Sequence, residues 1–311
     1  MAGYKPMRTE SGMDGLAGGL VYKFIVFLGF LFWKHNRLQG FLRISISIYM
    51  KAASFFLKYL RYRLTAGHRK GYGIHSPFMF RFVSEVIYGN IESDRLGKVI
   101  RWHSSLKKDS LVLGSGHHGA GSHAGKSGSR RLSHFARHSS VRVKYGRLLY
   151  RMADYFRPGE ILELGTGAGI STAYLAAAVP NTKIISVEGE ADRSQYAQQS
   201  FNDMHFPEVH FVTDDFDNFL STYQPSGNPW LVFIDGNHSY DATLRYCHKL
   251  FEQAKHDSVF IIDDIHWSKG MERAWQEIAA DPAAVLSVDL FFMGIIFFRE
   301  GVVRQDFIIN F

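Results

Sequence analysis

EILELGTGAGISTAYLA, residues 160–176, decides how this chain folds. The apolar run Ile161, Leu162 and Leu164 reads as a buried strand carrying Glu163 near its end. It breaks into Gly165-Thr166-Gly167-Ala168-Gly169, and a helix-like segment follows at once, with Ser171 or Thr172 able to serve its first turn. Glycines let the backbone turn sharply and approach a ligand closely. The open N-terminus of the next helix adds unpaired N–H groups and the positive end of a dipole. Strand, glycine-rich turn and helix form the unit with which a doubly wound α/β sheet holds a nucleotide-like molecule.

The spacing is G-x-G-x-G rather than the G-x-G-x-x-G of dinucleotide binders, so the flanking residues carry the argument. A second predicted strand, Lys183–Val187, ends in Glu188, whose carboxylate suits ribose hydroxyls. A third, Val209–Thr213, ends in Asp214-Asp215-Phe216, a carboxylate beside an aromatic ring that suits an adenine. The fourth, WLVFID (230–235), precedes Gly236-Asn237-His238-Ser239-Tyr240. The fifth, VFIID (259–263), precedes Asp264-Ile265-His266-Trp267. Ligands of such sheets lie beyond the carboxyl ends of the strands, so Asp235, Asp263 and Asp264 are expected to converge there. Three clustered carboxylates repel one another unless protons or a cation intervene, and oxygen-only ligands select a hard ion such as Mg²⁺. The alternative is that strand-end acids cap the helices that follow.

The succession ELGTGAGIST, Glu188 and Asp215-Phe216 resembles the class I S-adenosylmethionine (SAM) methyltransferases. The resemblance implies that Gly165, Thr166, Gly167, Gly169 and Ser171 face the methionine part. Glu163 would reach its amino group directly or through water, Glu188 would hold the ribose, and Asp215 with Phe216 would hold the adenine. FIDGNHSY and IIDDIHWSKGMERAW are similar to the metal-dependent O-methyltransferases, which implies a metal on Asp235, Asp263 and Asp264. That ion would hold a substrate hydroxyl and lower its pKa, and His238 would take the proton. Asp264 stands where the catechol-type pattern has an amide, which puts the coordination in doubt. IHSPFMF, GAGSHAGKSGSRRLSHFARHSS and DLFFMGIIFFR extend the likeness to a set of bacterial class I methyltransferases over residues 50–311. In that set Gly119–Ser122 and His134–Ser140 belong to the front of the active site. The acceptor is not part of what the resemblance conveys; Trp267 and Tyr240 are candidates to line its pocket or to pack the core.

The 311 residues, 46% hydrophobic and 15% aromatic, suffice for one large domain with an appendage. A single cysteine, Cys247, excludes an intramolecular disulfide framework and fits a reducing, cytoplasmic compartment. The net charge of +7 hides a division: residues 1–150 hold 25 Lys and Arg against 6 Asp and Glu, and the remainder hold 11 against 23. The basic half suits anionic lipid or the acidic half, and no nucleic-acid motif accompanies it.

Residues 1–49 read as a poorly ordered or apolar extension. LVYKFIVFLGFLFW (20–33) falls short of the roughly 20 residues of a membrane-spanning helix, and Met50 is a plausible true start. Residues 50–140 read as a basic helical cap. It opens with an amphipathic helix, 50–64, expected to bury Phe55, Phe56, Tyr59 and Leu60 and to expose Lys58, Arg61 and Arg63, which suits peripheral membrane contact. Pro77 then introduces a buried segment with Phe78, Phe80, Phe82 and Val83, 114–129 is a loop, and 130–140 is a helix. Residues 141–311 read as the SAM-binding domain: a Rossmann-like, mostly parallel sheet with an antiparallel closing strand in a tail that turns at Met293-Gly294. A homodimer is compatible with the sequence.

Rival readings are weaker. Ala120–Ser127 with Lys126 satisfies a permissive phosphate-loop pattern but does not follow its strand directly. Histidines 117, 118, 123, 134 and 138 lack the cysteines or HExxH spacing of a zinc site. A SAM-fold scaffold without turnover, or aminopropyl transfer on the same fold, would differ in the product formed.

Overall fold

The structure, a computed structural model, describes residues 53–113, 130–138, 140–227 and 229–311. Residues 59–311 form one compact unit, so most of the expected cap is packed into the same unit as the sheet; of a second unit, 1–58, only 53–58 are described. The expected phosphate loop with Lys126, histidines 117, 118 and 123, and Gly119–Ser122 lie outside the described residues, as does the side chain of His138.

Among the helices that precede the sheet are α1 (Asp94–Leu106), α2 (Leu132–His138) and α3 (Val143–Phe156). Five short apolar runs then become parallel strands: β1 (Glu160–Leu164), β2 (Lys183–Glu188), β3 (His210–Thr213), β4 (Trp230–Ile234) and β5 (Val259–Asp263). A helix follows each in turn: α4 (Ile170–Ala178), α5 (Ala191–Asp203), α6 (Phe216–Thr222), α7 (Tyr240–Phe251) and α8 (Lys269–Ala280). Helices cover both faces of the sheet, so β1 and β4 are buried at every position. The alternation of a strand divides their side chains between two cores: Ile161 joins α1, α3 and α4, whereas Leu162 joins α7 and α8.

The remaining strands are β6 (Leu286–Asp289), β7 (Met293–Phe297) and β8 (Gln305–Ile308), and the sheet order is β8-β6-β7-β5-β4-β1-β2-β3. β7 is the antiparallel strand, paired with both β5 and β6. The tail turns at Leu290–Phe292 rather than at Met293-Gly294, because Phe291 takes the left-handed conformation (φ 70°) and the Met293 carbonyl accepts from the Leu290 amide. β8 adds an eighth, edge strand parallel to β6. Gly67 bridges to Ile309, the Tyr62 hydroxyl donates to the Ile309 carbonyl, and the Phe311 amide donates to Tyr62 at 3.2 Å.

The helix over 53–65 buries a different face from the expected one. Tyr62 is buried and Tyr59 half-buried, its ring edge-on to Phe291, while Phe56 and Leu60 are exposed. Pro77 sits in the first turn of a short helix capped by Ser76. Phe78, Phe82 and Val83 are buried behind it, but Phe80 is exposed because its ring covers Gly71 at the surface. Among the described residues no helix is long and apolar enough to cross a membrane.

Candidate active site

The chain runs from β1 outward to β2 and β3, then returns to the other side of β1 for β4 and β5. Connections leaving β1 and β4 in opposite directions open a crevice beyond their carboxyl ends. A cavity of about 250 Å³ lies there.

Its donor-side wall is backbone. Gly165 has φ 108°, and a Cβ at this position would lie 2.1 Å from the carbonyl oxygen of Asp235, so only glycine lets the two strand ends touch. Gly167 (φ 55°) lies under the Phe135 ring. Gly169 caps α4 in the left-handed region without a side-chain bond, which leaves the first amides of α4 open on the side where Ile170 and Ser171 line the cavity.

Two glutamates support this wall. Glu188 is buried; its Oε2 accepts from the Gly167 amide at 2.8 Å and its Oε1 from the Glu190 amide at 3.0 Å. Burial pushes its carboxyl pKa up, opposed by those amides and by Arg193. Glu163 is fully buried beneath the turn. Its Oε2 accepts from Thr172 at 2.5 Å and from Ser186 at 2.6 Å, whereas Oε1 makes no hydrogen bond. Burial pushes the Glu163 carboxyl up to about 7, the hydroxyls of Ser171, Ser186 and Thr172 offsetting part of the effect.

The acceptor-side wall is formed by side chains. Asp235, Gly236, Asn237 and His238 line the cavity, and His238 Nε2 stands 3.6 Å from Asp235 Oδ1. Burial, then repulsion from Asp263 and Asp264, raises Asp235 well above the ordinary carboxylate range. Burial lowers His238, holding the ring neutral, the form that accepts a proton. The three acids are thus near enough to repel, as expected. Oxygen-only donors of this kind suit a hard cation, but no group of three acids or histidines at metal-holding spacing occurs among the described residues. Asp263 and Asp264 do not line the cavity. Burial raises both above the ordinary carboxylate range, and Arg142, the N-cap residue of α3, opposes part of that rise; its guanidinium lies over the Phe292 ring at 4.6 Å.

Gly165, Thr166, Gly167, Ser171, Glu188, Asp235 and His238 therefore meet at one cavity. Four of the expected residues stand elsewhere. Asp215 is the N-cap of α6, its Oδ1 accepting from the Asp217 amide at 2.9 Å, which is the capping alternative. The Phe216 ring supports Gly236 from behind and meets Tyr246 edge-on. Gly169 packs against Ala197 and Phe201 of α5, and Glu163 lies one layer below the lining. Trp267 is exposed, and Tyr240 donates to Glu277 on the surface. The sequence reading missed Arg193 and Arg142 and did not single out Phe135 within the His134–Ser140 segment. Phe135, Ser140 and Arg193 line the cavity, with the Arg193 guanidinium 5.5 Å from the Phe135 ring centre. One signal for Arg193 was available: with Glu190 it makes an i,i+3 pair on the helix that follows Glu188.

The sheet order and the glycine-turn cavity are those of the class I methyltransferase fold. Residues 162–265, about a third of the chain and the part that carries the cavity, match the family model described as a methyltransferase domain. Among solved structures the chain is similar to an S-adenosylhomocysteine (SAH)-bound methyltransferase of Podospora anserina, at 14% identity and a TM-score of 0.50, covering 73% of this chain and 97% of that one. It is also similar to the O-methyltransferase TomG of Streptomyces achromogenes, involved in tomaymycin synthesis and in complex with SAM (18%, TM-score 0.46, 70% and 97%). A third is an O-methyltransferase of Bacillus cereus in complex with SAH (17%, TM-score 0.45, 70% and 96%). Likeness at these identities speaks to fold alone. No curated protein matches the chain by sequence.

Proposed function

We propose that this protein moves the methyl group of SAM to an oxygen nucleophile of a still unidentified acceptor. The observation that carries the reading is the continuity of one cavity from Glu188 and the Gly167 amide to the Asp235–His238 pair. In this reading Gly165, Thr166, Gly167 and Ser171 shape the methionine end. Glu188 receives the ribose hydroxyls on lone pairs that its two amide bonds leave free. The unbonded Oε1 of Glu163 answers the donor's ammonium, directly or through water. Phe135 and Arg193 close the ribose side beside Glu188.

Methyl transfer proceeds in line from the sulfonium to the nucleophile, so the protein's work is positioning and proton removal. The neutral His238 ring, beside Asp235, takes the proton of the acceptor hydroxyl. The oxygen donors of Asp235, Asp263 and Asp264 suit a divalent ion such as Mg²⁺ in kind but not in spacing, so no step is assigned to one.

Titration calorimetry with SAM tests the reading. Wild type is expected to bind, and Glu188→Ala to bind about 100-fold more weakly, the worth of two hydrogen bonds to a charged group. A wild-type protein that takes up neither SAM nor SAH overturns it. Repeating turnover assays in EDTA decides the ion separately, since undiminished SAH production there removes the metal and keeps His238.

A further inference from the structure

We propose that the helix over 53–65 is a docking element for an anionic lipid surface. Positions 56, 57, 60 and 64 fall on one side of this helix, roughly opposite the side that carries Tyr59 and Tyr62. The four residues, Phe56, Leu57, Leu60 and Leu64, are exposed, Leu57 at 62% and Leu64 at 78%. Arg63 and Arg61, both exposed, flank this apolar stripe, one on each side. A soluble helix ordinarily turns its apolar stripe toward the core and its charges outward. This helix carries a second apolar stripe, on the outside and edged by arginines, which is the arrangement of a helix lying in a membrane interface. Arginine stems bury beside the apolar residues while their guanidinium groups reach the headgroups.

Charge names the occupant. From Gly15 to Ser84 the chain contains eleven Lys and Arg and not one Asp or Glu. That stretch of sequence brackets the helix, and a run of cationic residues uninterrupted by acids is attracted to anionic headgroups within a screening length. Leucine and phenylalanine at the contact favour lipid over nucleic acid, which takes cations interleaved with stacking aromatics. The site is separate from the cavity: none of the four apolar residues lines it.

Flotation of the full-length chain with vesicles tests the proposal. Binding is expected to vesicles containing 30 mol% phosphatidylglycerol in phosphatidylcholine, at least tenfold stronger than to phosphatidylcholine alone, and weakened by 0.5 M salt. The variant L57S/L60S/L64S changes only exposed side chains; it is expected to keep the wild-type circular dichroism and to lose binding by at least tenfold. R61E/R63E is expected to abolish the preference for the anionic vesicles and serves should the first variant fold poorly. Binding undiminished in both variants overturns the proposal, because other segments then carry it. So does failure of wild type to float, or a wild-type dimer that the serine variant converts to monomer, since a second copy would then cover the stripe.

Discussion

The two walls of the cavity are built by different means. The donor wall is one continuous stretch of backbone, residues 165–169, fixed by positive φ angles and by the Glu188 carboxylate. The acceptor wall is assembled from residues that arrive on separate segments: Asp235, Asn237 and His238 after β4, and Ser140 and Val141 from the stretch before α3. Backbone geometry tolerates almost no substitution, whereas converging side chains can be exchanged one at a time. The donor wall is therefore expected to be brittle and the acceptor wall adjustable.

The strongest way to break that contrast is Gly165→Val. A Cβ 2.1 Å from the Asp235 carbonyl and a φ of 108° must be relieved by separating β1 from β4. The expected cost is on the order of 5 kcal/mol, comparable with the whole stability of an ordinary domain, and little soluble protein should result. A folded variant with wild-type melting temperature would show that the wall is not brittle.

Next comes the floor. The Glu163 pKa in the folded chain is about 7, above its ordinary 4.5, so the folded protein keeps a proton that the unfolded chain has released between these values. Stability contributed by this group is then full below about pH 4.5 and declines as pH rises to about 7, by on the order of 3 kcal/mol. Glu163→Gln removes the titration and keeps hydrogen-bonding capacity. It is expected to melt near wild type at pH 5 and well above it at pH 8. Parallel melting curves for the two proteins across that range would refute the assignment.

The smallest effect sharpens the boundary of the donor wall. Asp215→Ala should cost about 1 kcal/mol through loss of the α6 cap, with Asp215→Asn recovering most of it. SAM affinity should stay within about twofold in both. A tenfold loss of affinity in the alanine variant would return Asp215 to the adenine.

The same contrast explains how much could be read beforehand. Strand, glycine turn and helix are local and periodic, so 160–176 disclosed the parallel sheet and the crevice, and the end of the next strand placed Glu188 beside Gly165 and Gly167. Asp215 was ambiguous because a carboxylate before a helix looks alike whether it caps or binds; the structure shows the cap, with the Asp217 amide at 2.9 Å. Phe216 misled because its ring turns behind Gly236 into the core. Arg142 and Arg193 went unnoticed because each acts across tertiary contacts, over Phe292 and Phe135 respectively. Residues 305–311 read as a β-rich run, but the place of β8 in the sheet was unreadable for a related reason: it is set by pairing with β6, and Gly67 and Tyr62 secure the residues just beyond it from far away in the chain.

The bare contact of residue 165 with the Asp235 carbonyl has a mechanical meaning. Two walls that touch through main-chain atoms alone have no compressible side chain between them, so there is no cushion to absorb a shift of the glycine loop. Any such shift is handed on to the peptide that carries Asp235, and through it to the spacing of the Asp235–His238 pair. The cavity behaves as a vice whose two jaws share one screw.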